Sequence, residues 1–125
     1  MKILFLGDIV GESGCMAVKK YLPEKILENE IDFVIVNGEN AAIEGTGITE
    51  EITNNLFDVG IDVITTGNHV WDQKETATYI EKENRLLRPI NMIQPSPGKG
   101  FGIYNSKNGF KIGVLNLMGN IFMKK

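Results

Sequence analysis

Three short apolar runs punctuate the first half of the chain, and each stops at a glycine or a Gly-bearing polar turn. Ile3–Leu6 is followed at once by Gly7-Asp8. Residues 31–36, rich in β-branched side chains, lead into Asn37-Gly38-Glu39-Asn40, and residues 61–66 lead into Gly67-Asn68-His69. Runs this continuous predict strands buried on both faces, as in a parallel sheet with helices on either side. They recur about every 30 residues, the length of a βαβ unit. The pattern is that of an α/β fold.

The segments between the runs read as helices. Ile48, Ile52, Leu56 and Val59 recur at helical spacing, with Thr49 as N-cap, acidic residues in the first turn and Gly60 at the end. Asp72 is expected to cap a third helix running through Tyr79 and Ile80, with Glu75 three places on in a capping-box pattern. Val18, Leu22 and Ile26 form a stripe on a first helix that Pro23 should kink or restart. After Asn84 the texture changes to that of a loop with turns: Arg88-Pro89, then Pro95-Ser96-Pro97-Gly98-Lys99-Gly100. Residues 101–104 and 111–117 read as two further strands, a hairpin with Asn108-Gly109 at its turn.

Composition narrows the class. A chain of 125 residues with 42% apolar and 23% charged residues fits one ordinary globular domain. Its net charge of −3 argues against a bulk nucleic-acid binder. The single cysteine, Cys15, cannot form an internal disulfide and reads as a small core residue. No apolar run reaches the roughly 18 to 20 residues that span a bilayer, and residues 1–6 are too short for a signal-peptide core. The expected location is cytoplasmic.

Ligands of open α/β sheets sit beyond the carboxyl ends of the strands. There the pattern delivers Asp8, then Glu39 with Asn40, then Asn68 with His69. The glycine before each group is expected to let the backbone turn sharply and approach a ligand. No P-loop lysine is present, and Gly7, Gly11 and Gly14 lack the dinucleotide spacing. Converging carboxylates repel each other unless a divalent cation lies between them. Oxygen donors with an imidazole suit Mn, Fe or Zn, and two such ions would clamp a phosphoryl group and supply hydroxide at neutral pH.

With GD, NGEN and GNH on its strand ends, the chain resembles the N-terminal part of the YmdB-like branch of the calcineurin-like metallophosphoesterases. These are cyclic-nucleotide phosphodiesterases with a dinuclear iron or manganese centre. The resemblance runs from Met1 to about Met123 and includes 37–42, 67–72, Arg88-Pro89, 97–100 and 116–119. It implies a layered metallophosphoesterase fold, of which this is the βαβαβ half with additional strands. It implies that Asp8 binds the first metal, that Glu39 bridges both, that Asn40 completes the first metal's shell and that Asn68 binds the second. His69 would give a proton to the leaving alkoxide, for which an ordinary histidine value of about 6.5 is suitable. The implied reaction is attack of a metal-bound hydroxide on a phosphodiester, with 2′,3′-cyclic AMP as the type of substrate. Outside this set, Lys99 could meet a substrate phosphate, although an exposed lysine usually meets only water, and Arg88, held before a rigid proline, is the better placed of the two.

The family is longer, and its remaining metal ligands are histidines in its C-terminal half. This chain has one histidine, and Asp8, Glu39, Asn40 and Asn68 do not fill two coordination spheres. Residues 1–125 therefore read as a single, incomplete domain with uncovered apolar surface, from which self-association is expected. Two other readings remain open. One is a non-catalytic nucleotide- or metal-binding regulatory module, and the other is a plain flavodoxin-like nucleotide-binding domain. Taken singly, Asp8 reads equally as a helix cap, Glu39, Asn40 and Asn68 as turn residues, and His69 as a structural histidine. Their joint position on three strand ends favours the metal site.

Overall fold

The computed structural model describes residues 1–121 and 123. Phe122, inside the stretch of resemblance, lies outside the described residues. Four parallel strands form one sheet in the order β1-β2-β3-β4: β1 (Ile3–Leu6), β2 (Phe33–Asn37), β3 (Val63–Thr65) and β4 (Leu86–Leu87). Register runs from Ile3 beside Phe33, through Ile35 beside Val63, to Ile64 beside Leu86. The apolar runs thus become adjacent strands whose carboxyl ends share one edge. The fourth strand was not visible in the pattern, because two residues carry no periodicity.

Three helices connect these strands: α1 (Gly11–Asn29), α2 (Glu50–Asp58) and the single turn α3 (Thr76–Tyr79). All three cover the same face. Leu22 and Ile26 of α1, Leu56 of α2 and Ile80 after α3 join Val34, Val36 and Ile64 in one buried cluster. The opposite face is covered by an antiparallel hairpin, β5 (Phe101–Asn105) with β6 (Lys111–Leu115). Ile112 and Val114 of the hairpin pack on Phe33, Val63 and Leu87 of the sheet. Helices on both faces, the expectation from the continuous apolar runs, are therefore corrected to helices on one face and a hairpin on the other. A run of apolar residues requires cover on both sides and says nothing about what supplies it.

Two helix expectations also change. α1 continues through Pro23, which lies on its exposed side, where the carbonyl freed by the missing N–H can face water. Asp72 caps nothing, because residues 67–76 form successive turns: Val70 N–H donates to Gly67, Asp72 N–H to His69 and Thr76 N–H to Gln73. Glu75 instead accepts from the Glu50 N–H at 3.0 Å, so it caps the start of α2 from a neighbouring segment. Thr49 is the N-cap of α2 as expected, its hydroxyl accepting from Ile52 N–H at 3.2 Å. Gly109, with φ 85°, turns the hairpin.

Hairpin and sheet are tied by Asn116. Its buried amide nitrogen donates to the carbonyl of Thr66 at 2.8 Å and to that of Leu87 at 3.0 Å. Apolar surface remains uncovered on the hairpin's outer face, where Ile103 is 65% and Leu115 53% exposed, and at the edge strand, where Phe5 is 59% exposed. Among the described residues no helix is long and apolar enough to cross a membrane.

Candidate metal centre

The loops after β1 and β2 run side by side beyond the sheet. Ile9 N–H donates to the Asn37 carbonyl and Gly11 N–H to the Asn40 carbonyl, with Val10 and Asn40 bridged in parallel. This pairing brings Asp8 beside Asn40. The Asn40 amide nitrogen donates to Asp8 Oδ1 at 2.7 Å, and Asn40 Oδ1 lies 2.8 Å from His69 Nδ1. Side chains from the ends of three adjacent strands are therefore joined in one chain of hydrogen bonds. Asp8 is not the cap of α1, whose N-cap is Val10 with no side-chain bond. Asp8 also holds a φ of 21°, which residues other than glycine rarely adopt.

Glu39 lies near enough to this group for its charge to feel both His69 and Asp8. Its Oε2 is buried and has no hydrogen-bond partner among the described residues. Burial pushes its carboxyl up from the ordinary carboxylate range; His69 pulls it down and Asp8 raises it further. A buried carboxylate oxygen without a donor is costly unless a cation or a proton meets it. The carboxylate fits against Gly67, where any Cβ would overlap it. The close approach at Gly67 is to the Glu39 side chain, whereas Gly7 has open space around it, and neither glycine has a positive φ.

Asn68 follows Gly67 and is exposed beside this group, outside the Asp8–Asn40–His69 hydrogen bonds. Among the described residues no three His, Cys, Asp or Glu side chains lie together closely enough to hold a metal ion. What the structure brings together is Asp8, Asn40 and His69, with Glu39 near enough to feel the charges of Asp8 and His69. Donors of this type suit a hard or borderline divalent cation, and the orphaned Glu39 Oε2 is where such a charge fits.

The other candidates form no side-chain hydrogen bond with these groups among the described residues. Arg88 is buried, and its Nε and Nη1 donate to the carbonyls of Pro97 and Pro89, both at 2.9 Å, so it secures its own loop rather than facing a ligand. Lys99 is exposed. Trp71 packs against the helix-side core, and Cys15 does the same, with burial pushing its thiol up while Lys19 pulls it down. A cavity of about 340 Å³ between α1 and α2 is lined by Cys15, Ala41, Ile52 and Leu56, and by none of the strand-end groups. Gly67 as the seat of Glu39, and Asn116 as the clamp on Thr66, had no signal in the sequence beyond their place beside the motifs.

A family model described as YmdB-like protein matches residues 4–125. The chain is 45% identical over 123 residues to a 2′,3′-cyclic-nucleotide 2′-phosphodiesterase from Bacillus subtilis, covering 98% of this chain and 46% of that protein. A hypothetical protein from Thermus thermophilus has the same fold, with a TM-score of 0.89 and 37% identity over 100% of this chain and 48% of its own. A phosphatase from Mycoplasma pneumoniae matches with a TM-score of 0.85 and 32% identity, over 95% of this chain and 43% of that one. The chain spans about half the length of the relatives it matches. With its motifs on three strand ends and its layered α/β architecture, the chain belongs to the YmdB-like family.

Proposed function

We propose that this chain carries one half of a metal-dependent phosphodiesterase site acting on 2′,3′-cyclic nucleotides. The observation that carries the reading is the buried Glu39 Oε2, partnerless among the described residues, near the hydrogen-bonded Asp8, Asn40 and His69. The phosphodiesterase named in Bacillus subtilis supports the substrate class. Asp8 and Asn40 would hold a first divalent cation, Glu39 would lie between two, and the Asn68 amide oxygen would face the second. Iron or manganese suits these donors, and zinc is admissible. Bound there, such ions polarise phosphoryl oxygens and make water more acidic. His69 delivers a proton to the ribose oxygen released when the P–O bond breaks.

The test is hydrolysis of 2′,3′-cyclic AMP with added manganese, comparing the chain with Asp8→Asn and Glu39→Gln. Turnover that survives both substitutions overturns the assigned roles. A second reading, a nucleotide- or metal-binding module without catalysis, is motivated by the single histidine of the chain, which leaves Asp8, Glu39, Asn40 and Asn68 short of two coordination spheres. Calorimetric binding of the nucleotide with no turnover at saturating manganese would select it.

A further inference from the structure

We propose that Asn40 is a positioning residue for His69: its amide, oriented by Asp8, holds the imidazole with its proton on Nδ1 and leaves Nε2 as the nitrogen that exchanges protons. The part played in proton transfer rests on the phosphodiesterase reading, whereas the tautomer itself does not.

Donor and acceptor chemistry carries the argument. A carboxylate oxygen only accepts, so Asp8 Oδ1, at 2.7 Å, requires the NH₂ end of Asn40. With that end committed, Asn40 Oδ1 faces His69 Nδ1 at 2.8 Å. An amide oxygen also only accepts, so Nδ1 must carry the hydrogen. Turning the Asn40 amide over would set its oxygen against the oxygen of Asp8 with no hydrogen between them. One orientation and one tautomer satisfy all three side chains.

The consequence lies at Nε2, which forms no hydrogen bond among the described residues. With Nδ1–H committed, a neutral His69 accepts only at Nε2, and a doubly protonated ring donates from the same atom. Acid and base roles then fall on a single atom whose place is set by residues from two other strand ends. Asn40 Oδ1 keeps a second lone pair, so its bond to His69 and a bond to a cation are compatible.

Because His69 is the only histidine, the imidazole ¹⁵N spectrum of the untagged, uniformly labelled chain contains one ring. In alkaline, metal-free buffer the chain should show protonated Nδ1 and bare Nε2, the reverse of the form that free histidine favours. Asn40→Ala should move the ring toward Nε2–H. Asp8→Ala should do so as well, although Asp8 forms no hydrogen bond with the ring, because the Asn40 amide is then free to turn. Asn40→Asp, which keeps an acceptor beside Nδ1, should retain Nδ1–H. Dominant Nε2–H in the unmodified chain overturns the proposal, as does an unchanged tautomer in Asp8→Ala. If Asn40→Ala does not fold, those two spectra still decide. Neither metal nor substrate enters the measurement, so a failure here is distinct from a failure of the hydrolysis test.

Discussion

Glu39 fits where it does because Gly67 has no side chain: a Cβ there would overlap its carboxylate. The clashing atoms are the far end of a flexible side chain, so Gly67→Ala should swing Glu39 out rather than disrupt the core. The expected change in stability is at most about 1 kcal/mol, read from urea denaturation, together with loss of any response to divalent cations. A fully retained cation response would show that Glu39 need not occupy this seat.

Cation binding has its own measurement. Anything that binds only the folded chain stabilises it, by about 2.7 kcal/mol at a hundredfold excess over Kd. Manganese or zinc should therefore raise Tm, and EDTA should reverse the rise. Glu39→Gln, which removes the charge of the orphaned carboxylate, should diminish the response. An equal rise in wild type and variant would locate the cation elsewhere.

The start of α2 depends on two side chains from different segments. Removing the Thr49 hydroxyl with Thr49→Ala should cost about 1 kcal/mol, because the Ile52 N–H loses its acceptor. Glu75→Ala should destabilise in the same direction by freeing the Glu50 N–H, although Glu75 lies outside the helix it caps. Urea midpoints of the two single variants check both, and a neutral Glu75→Ala would deny the cross-segment cap.

Asp62 gives a pH dependence remote from the candidate metal centre. Burial pushes its carboxyl above the ordinary 3.8, while the Val34 N–H and the charges of Lys107 and Arg85 pull it down. With the folded value raised, its contribution to stability is complete below the unfolded value and is lost as pH rises through the folded one. Asp62→Asn can still accept from Val34 N–H but does not titrate. Its stability relative to wild type should therefore grow as pH rises from about 4 toward neutrality. A difference that stays flat across that range would contradict this.

The outer face of the hairpin presents Phe101, Ile103 and Leu115 to solvent. Exposed apolar patches of this kind drive association. The chain should elute above monomer size in gel filtration at high concentration, and Ile103→Lys should return it toward the monomer. A monomer at every concentration would show that this face is tolerated in water.

A parallel sheet with the motifs at the carboxyl ends of its strands was legible, because continuous apolar runs about 30 residues apart read as βαβ units; that the three strands are immediate neighbours was not, since the runs alone do not set their order. β4 was not legible, since Leu86–Leu87 is too short for any periodicity to appear. The identity of the layer opposite the helices was hidden for a different reason: Phe33 and Val63 need an apolar partner, and Ile112 or a helix would serve equally. Glu75 matched a capping box in one dimension, yet its carboxylate accepts from the orphan N–H of Glu50 at the start of α2. At the site, residue types at strand ends pointed to Asp8, Glu39, Asn40, Asn68 and His69. The Asp8–Asn40–His69 bonds and the seat on Gly67 depend on side-chain direction, which spacing does not encode.

Asn116 has a consequence for how the His69 turn is held. The carbonyl of Thr66, immediately before the Gly67-Asn68-His69 turn, accepts from a side chain 50 positions later in the chain. Closing a loop of that length costs more chain entropy than closing a short one. The turn bearing His69 thus has one of its anchors in a distant part of the chain, so its geometry depends on the docking of the hairpin as well as on the βα units that surround it.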